Sequence, residues 1–118
     1  MEILSRQHQL AVDSPIVPLT PAANAVTVNL AKGNKFEMTL ATGVATTISL
    51  SNEVAGQGFS LLLNQDGTGS CSVTWWDGIL WANSTVPTLT SAAGGLDMLS
   101  FVVKSPGVYL GMFVPNFG

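Results

Sequence analysis

The chain has 118 residues, 47% of them hydrophobic and 9% charged, with a formal net charge of −3. That length suits one domain with one core, and the charge content lies far below the roughly 25% of an ordinary soluble domain, which excludes a disordered chain or a coiled coil. Four basic residues (Arg6, Lys32, Lys35, Lys104) cannot neutralise a run of phosphates, so no nucleic-acid partner is expected. No apolar run approaches the ~20 residues of a membrane span; the richest, Val108–Val114, is interrupted by Gly111. The start, Met1 to Arg6, lacks the basic, apolar and cleavage regions of a signal peptide, so a cytosolic site of synthesis and use is expected.

In chain order, residues 1–24 read as an arm. Pro15, Pro18 and Pro21 restrict their predecessors to extended geometry and withhold N–H donors. A short amphipathic turn fits Glu2–Leu10, and Asp13–Asn24 is expected to be extended. The arm carries Ile3, Leu4, Leu10, Ile16, Val17 and Leu19, too apolar for a free tail, so it is expected to dock in a groove of its own domain or of a neighbour.

From residue 25 onward the pattern is that of short strands punctuated by turns. Val26, Val28 and Leu30 alternate with polar residues, Lys32–Lys35 turns, and Phe36, Met38 and Leu40 alternate again. Ala41-Thr42-Gly43 turns into a strand over Val44–Ser51. After the polar connection Asn52–Gly58, the run Phe59–Leu63 reads as a strand buried on both faces. Asp66-Gly67 within Asn64–Ser70 is the strongest turn signal, of the kind that closes hairpins, with Gly69 just beyond. Strands follow at Cys71–Trp75 and Ile79–Trp81. Asn83–Ala93 is loop-like with a short strand around Thr88–Thr90, and Leu96–Lys104 pairs with Val108–Val114 across Ser105-Pro106-Gly107. These elements predict an all-β chain: an antiparallel β-sandwich or jelly roll of about eight strands over residues 25–118, with an extended N-terminal arm over 1–24.

Few residues could carry catalysis. His8, the single histidine, sits in the arm, where no scaffold fixes a base. One cysteine, Cys71, excludes an intrachain disulfide and a thiolate-only metal site, and reads as a small buried hydrophobe. Gln65-Asp66-Gly67-Thr68 is too thin for a calcium loop, and Gln65–Ser70 lacks the lysine and helix of a phosphate loop. Glu37, Glu53, Asp66, Asp77 and Asp97 show no spacing that marks a catalytic pair, and turn chemistry accounts for Asp66 and Asp77. Asp97 follows Gly94-Gly95 and is expected to cap that loop. Asn83-Ser84-Thr85 matches a glycosylation sequon without a secretory context. The reading is therefore no enzyme, no catalytic or metal residues and no cofactor. Trp75, Trp76 and Trp81 remain as candidate interface or ligand residues. If Trp75 and Trp76 share one strand, their rings point to opposite faces, one inward and the other exposed or covered by a partner. Core packing plus a subunit contact is the preferred role, and stacking on a sugar by Trp76 or Trp81 is the alternative.

In order along the chain, Phe36-x-Met38-x-Leu40, Ile48–Asn52, Gly56-Gln57, Gln65–Ser70 with Val73-Thr74-Trp75, Ile79–Trp81, Val86–Thr90 and Leu96–Phe101 stand as a set. That set resembles the β-modules of bacteriophage tail-fibre and other virion surface proteins, from about Ala25 to the C-terminus. The resemblance implies an architectural role for the turn at Asp66, Gly67 and Gly69 and for Thr74-Trp75, no catalytic residues, and assembly as a homotrimer. Fibre modules of this type usually end a longer chain with a shaft. A chain beginning at Met1 with a short arm is therefore expected to be a stand-alone piece, such as a capsid decoration (cement) protein or small appendage subunit. It would sit on the virion against the major capsid protein or a tail component, with no membrane partner, after assembly in the bacterial cytoplasm. The competing expectation is a module that binds a host glycan.

Overall fold

The computed structural model describes residues 15–118. Nine strands carry the fold: β1 (Val17–Pro18), β2 (Ala25–Asn29), β3 (Lys35–Thr39), β4 (Ala45–Ser51), β5 (Gly58–Asn64), β6 (Ser72–Thr74), β7 (Ile79–Trp81), β8 (Leu96–Ser105) and β9 (Val108–Phe117). A short 3-10 turn, Ala82–Ser84, follows β7. No helix of the described residues is long and apolar enough to cross a membrane. The strands form a six-stranded sheet in the order β1-β3-β5-β8-β9-β7 and a three-stranded sheet in the order β2-β4-β6. The all-β, sandwich-like reading therefore stands.

The sense of the strands corrects the antiparallel expectation. Among the described residues five of the seven ladders are parallel, and only β5 with β8 and β8 with β9 run antiparallel. From β1 to β6 each connection carries the chain to the other sheet, so a strand pairs with the next but one and the chain winds as a flattened coil. The turn at Asp66-Gly67 is such a crossover between β5 and β6, not a hairpin. The hairpin across Ser105-Pro106-Gly107 forms as expected, with Gly107 at φ +92°.

The period-2 alternation seen in the sequence builds the core. Phe36 and Met38 of β3, Phe59, Leu61 and Leu63 of β5, and Leu99, Phe101 and Val103 of β8 all point inward and are buried. Val28 and Ile48 of the smaller sheet meet them, with Leu30 and Leu40 at the strand ends. Each such side chain contributes about 1.5–3 kcal/mol on burial. In β5 the burial alternates, so Leu62 faces outward rather than into a second core. No strand forms at Thr88–Thr90.

Part of the arm belongs to this sandwich. Val17–Pro18 pairs with Phe36–Glu37, the Leu19 N–H donates to the Glu37 carbonyl at 2.8 Å, and Val17 and Leu19 pack against the core. Both are thereby used inside the domain, while Ile16 is 48% exposed. Ile3, Leu4, Leu10 and His8 lie outside the described residues.

Candidate functional site

The smaller sheet has half as many strands as the larger, and aromatic side chains cover what it leaves open. β6 ends at Thr74, so Trp75 and Trp76 lie in the connection to β7 and do not point to opposite faces. Their rings meet edge to face at 5.8 Å, and both pack on Phe101, at 6.1 and 4.8 Å. Trp76 also packs on Phe59 and Tyr109, which places it over β5, β8 and β9. Its indole Nε1 is buried without a hydrogen-bond partner among the described residues. Trp81 stands 5.2 Å from Trp75 and 5.7 Å from Phe101. It stands against Gly111, where an added Cβ would come within 2.9 Å of the ring. Glycine at 111 is what lets the indole approach β9. The three tryptophans thus form one cluster, and packing is the role they share.

Beside the cluster runs a groove of about 400 Å3, walled by Cys71, Val73 and Trp75 on one side and by Val86, Pro87 and Leu89 on the other. Its lining is largely apolar, and of the three tryptophans only Trp75 reaches it. Two clamps hold its walls. The buried Asp97 carboxylate accepts hydrogen bonds from the Thr90 N–H at 2.7 Å, the Thr90 hydroxyl at 2.6 Å and the Asn116 N–H at 2.9 Å. It ties Thr90, in the loop before β8, to the end of β9, whereas the Gly94-Gly95 turn it was expected to cap is bonded to the backbone of Asp66 and Gln65. On the other wall the buried Gln65 side chain accepts from the Cys71 N–H at 2.7 Å and donates to the Cys71 carbonyl at 3.2 Å. Its amide does for Cys71 what a neighbouring strand would do.

The Asp66 turn is built the same way. Its carboxylate accepts from the Thr42 hydroxyl and N–H and from the Thr68 and Gly69 N–H groups. Those donors, the Thr42 hydroxyl first, hold it well below the usual carboxylate range. Gly69 has φ +86°, and a Cβ there would stand 2.3 Å from the Ser91 carbonyl oxygen, so the position requires glycine. Gly67 has open space around it. Asp66 and Gly69 are architectural, and Thr42, in the neighbouring corner between β3 and β4, completes the turn.

Two further acids are similarly engaged. Glu37 accepts from the Asn64 amide at 3.0 Å beside a hollow of about 530 Å3 next to β1. Glu53 accepts a hydrogen bond from the Tyr109 hydroxyl. Burial, and then that bond, push the Tyr109 phenol above its ordinary value. Cys71 is buried, its sulfur 3.7 Å from the Thr42 hydroxyl. Among the described residues no three His, Cys, Asp or Glu side chains are grouped to hold a metal ion. Gln65 and Thr42 are the residues sequence reasoning missed, because polar residues flanking Gly-rich turns read as solvated.

Comparison with protein-family models, with curated proteins and with solved structures finds no match for this chain.

Proposed function

We propose that this chain is a non-enzymatic structural subunit of a bacteriophage particle, a capsid decoration (cement) protein or small appendage subunit held by its N-terminal arm and its β-domain. The observation that carries this reading is the outer face of the six-stranded sheet, where Leu80, Val102, Leu110, Met112 and Val114 stand 44–59% exposed on adjoining strands. Solvent-exposed apolar surface of that extent marks a contact surface. The use of Asp66, Gly69 and Thr42 to lock a crossover fits the architectural role that the resemblance implies, as does the engagement of Glu37, Glu53 and Asp97 within the fold.

Mass spectrometry of purified particles is expected to find the chain in fixed ratio to the major capsid protein. In reconstitution of particles stripped of it, a chain beginning at Pro15, which keeps β1, is expected to bind with reduced occupancy. Absence from purified particles would overturn the reading. A second reading, host-glycan recognition, is favoured by the groove beside Trp75 rather than by Trp76 or Trp81, whose rings lie on the core. Glycan-array binding that disappears in a stably folded Trp75→Ala protein would establish it in place of the first.

A further inference from the structure

The ladder register arranges the outer face of the six-stranded sheet in rows. Leu80, Leu110 and Val102 form one row across β7, β9 and β8. Two residues along the strands, Met112 stands beside Ser100 and Ser60, whose hydroxyls bond to each other at 3.3 Å. The next row is Val114, Met98 and Leu62. No charged side chain interrupts these rows between β5 and β7 among the described residues. Charges stand only at the margins. Lys104 lies beyond Val102 at the hairpin end of β8, and Glu37 lies beside Leu62 on β3 with Lys35 two residues before it. Lys104 and Glu37 are therefore at diagonal corners of one neutral, apolar field whose only central polar groups satisfy each other.

We propose that this face is the contact between two copies of the chain, closed by a two-fold axis that crosses the strands near Ser100 and Met112. This rests on the reading of the chain as an assembly subunit and assigns the surface that does the assembling. The register supports the two-fold arrangement. An axis in the plane of the face that brings Lys104 opposite the partner's Glu37 necessarily brings Glu37 opposite the partner's Lys104, as an isologous contact requires. The same axis lays the row of Leu110 and Val102 on the partner's row of Val114 and Met98 and sets Met112 beside its own copy. The five side chains that stand 44–59% exposed leave a continuous apolar patch of a few hundred Å2. With its polar margin it approaches the roughly 800 Å2 per partner of a stable complex. A trimer around a central three-fold axis fits this face less well, because Ser60 and Ser100 are too short to fill its centre.

The full chain, at about 50 µM, is expected to sediment with twice the 12.3 kDa mass of one copy. Met112→Lys, at a side chain 59% exposed and outside the core, is expected to give a folded monomer. Lys104→Glu and Glu37→Lys are each expected to weaken the pair about tenfold by facing like charges, and the double variant to restore it. Met112→Cys is expected to form a disulfide between copies under mild oxidation, Cys71 being buried. A wild-type monomer, as when the chain's own residues 1–14 cover the face, would overturn the proposal. So would a trimer, or a dimer indifferent to Met112→Lys. A monomer found in fixed ratio on particles would refute this contact alone, and a dimer absent from particles would refute the virion reading alone.

Discussion

Replacing Asp97 by alanine tests how the loop wall of the groove is held. The carboxylate is 2% exposed and receives three hydrogen bonds, two from Thr90 and one from the Asn116 N–H. Hydrogen bonds to a charged group are worth about 1.5–3 kcal/mol each, and a donor left buried without a partner costs a further share. Removing a buried charge returns some of that, because the cost of its desolvation is no longer incurred. The net loss is about 4 kcal/mol, a large part of the roughly 5–15 kcal/mol that holds a small domain together. Asp97→Asn keeps one acceptor oxygen and is expected to lose about 2 kcal/mol. Urea unfolding followed by tryptophan fluorescence reads the loss as a lower midpoint at unchanged slope. Hydrogen exchange locates it, with the Thr90 and Asn116 amides losing protection first. A loss below about 1 kcal/mol in Asp97→Ala, or a large loss with Thr90 still protected, would refute the clamp.

Gly69→Ala is expected to lower the melting temperature by many degrees, because both its positive φ and the Ser91 carbonyl oppose a Cβ, whereas Gly67→Ala is expected to leave it nearly unchanged. Trp76→Ala is expected to cost about 3–5 kcal/mol in denaturant unfolding. Trp76→Phe, which removes the unpaired buried Nε1 with the indole, is expected to cost less than half of that. The folded state depresses the Asp66 carboxyl below its unfolded value of 3.8, so its contribution is complete above that pH and is lost as pH falls below it. Asp66→Asn is therefore expected to flatten the acid limb of the stability profile, measured as melting temperature between pH 6 and pH 2.

Much of the core was legible because period-2 alternation states which side of a strand faces inward. Phe36 with Met38, and Leu99 with Phe101, are placed as their spacing requires. Alternation does not say which strand lies next door. The turns at Gly43 and Asp66-Gly67 announce a reversal, but a reversal into the opposite sheet uses the same residues as one into a hairpin, so the parallel pairing stayed hidden. β1 was concealed by its prolines, and it tolerates Pro18 because it pairs on one side only, at the margin of the sheet. The expectation for Trp75 and Trp76 failed with the strand it assumed: once the backbone leaves β6 at Thr74, both rings can turn to the same Phe101. Gln65 could not be identified as buried without knowing that Cys71 has no strand neighbour to bond.

The winding from β1 to β6 has a consequence for how this architecture can grow. Phe36 lies beside Leu61 and Thr46 beside Val73, steps of 25 and 27 residues that each bring the chain once around and return it to the same sheet. Inserting one more such circuit at the corner near Gly43 would add one strand to each sheet and lengthen the sandwich by about 4.8 Å, the spacing between paired strands. The hairpin of β8 and β9 and the tryptophans above it would keep their neighbours, while the Asp66 crossover would need a new partner in place of Thr42. A partial insertion would instead put the inward residues of every later strand on the wrong side. Size in this fold is thus quantised, and chains built on it are free to differ in length by whole circuits while their aromatic end stays the same.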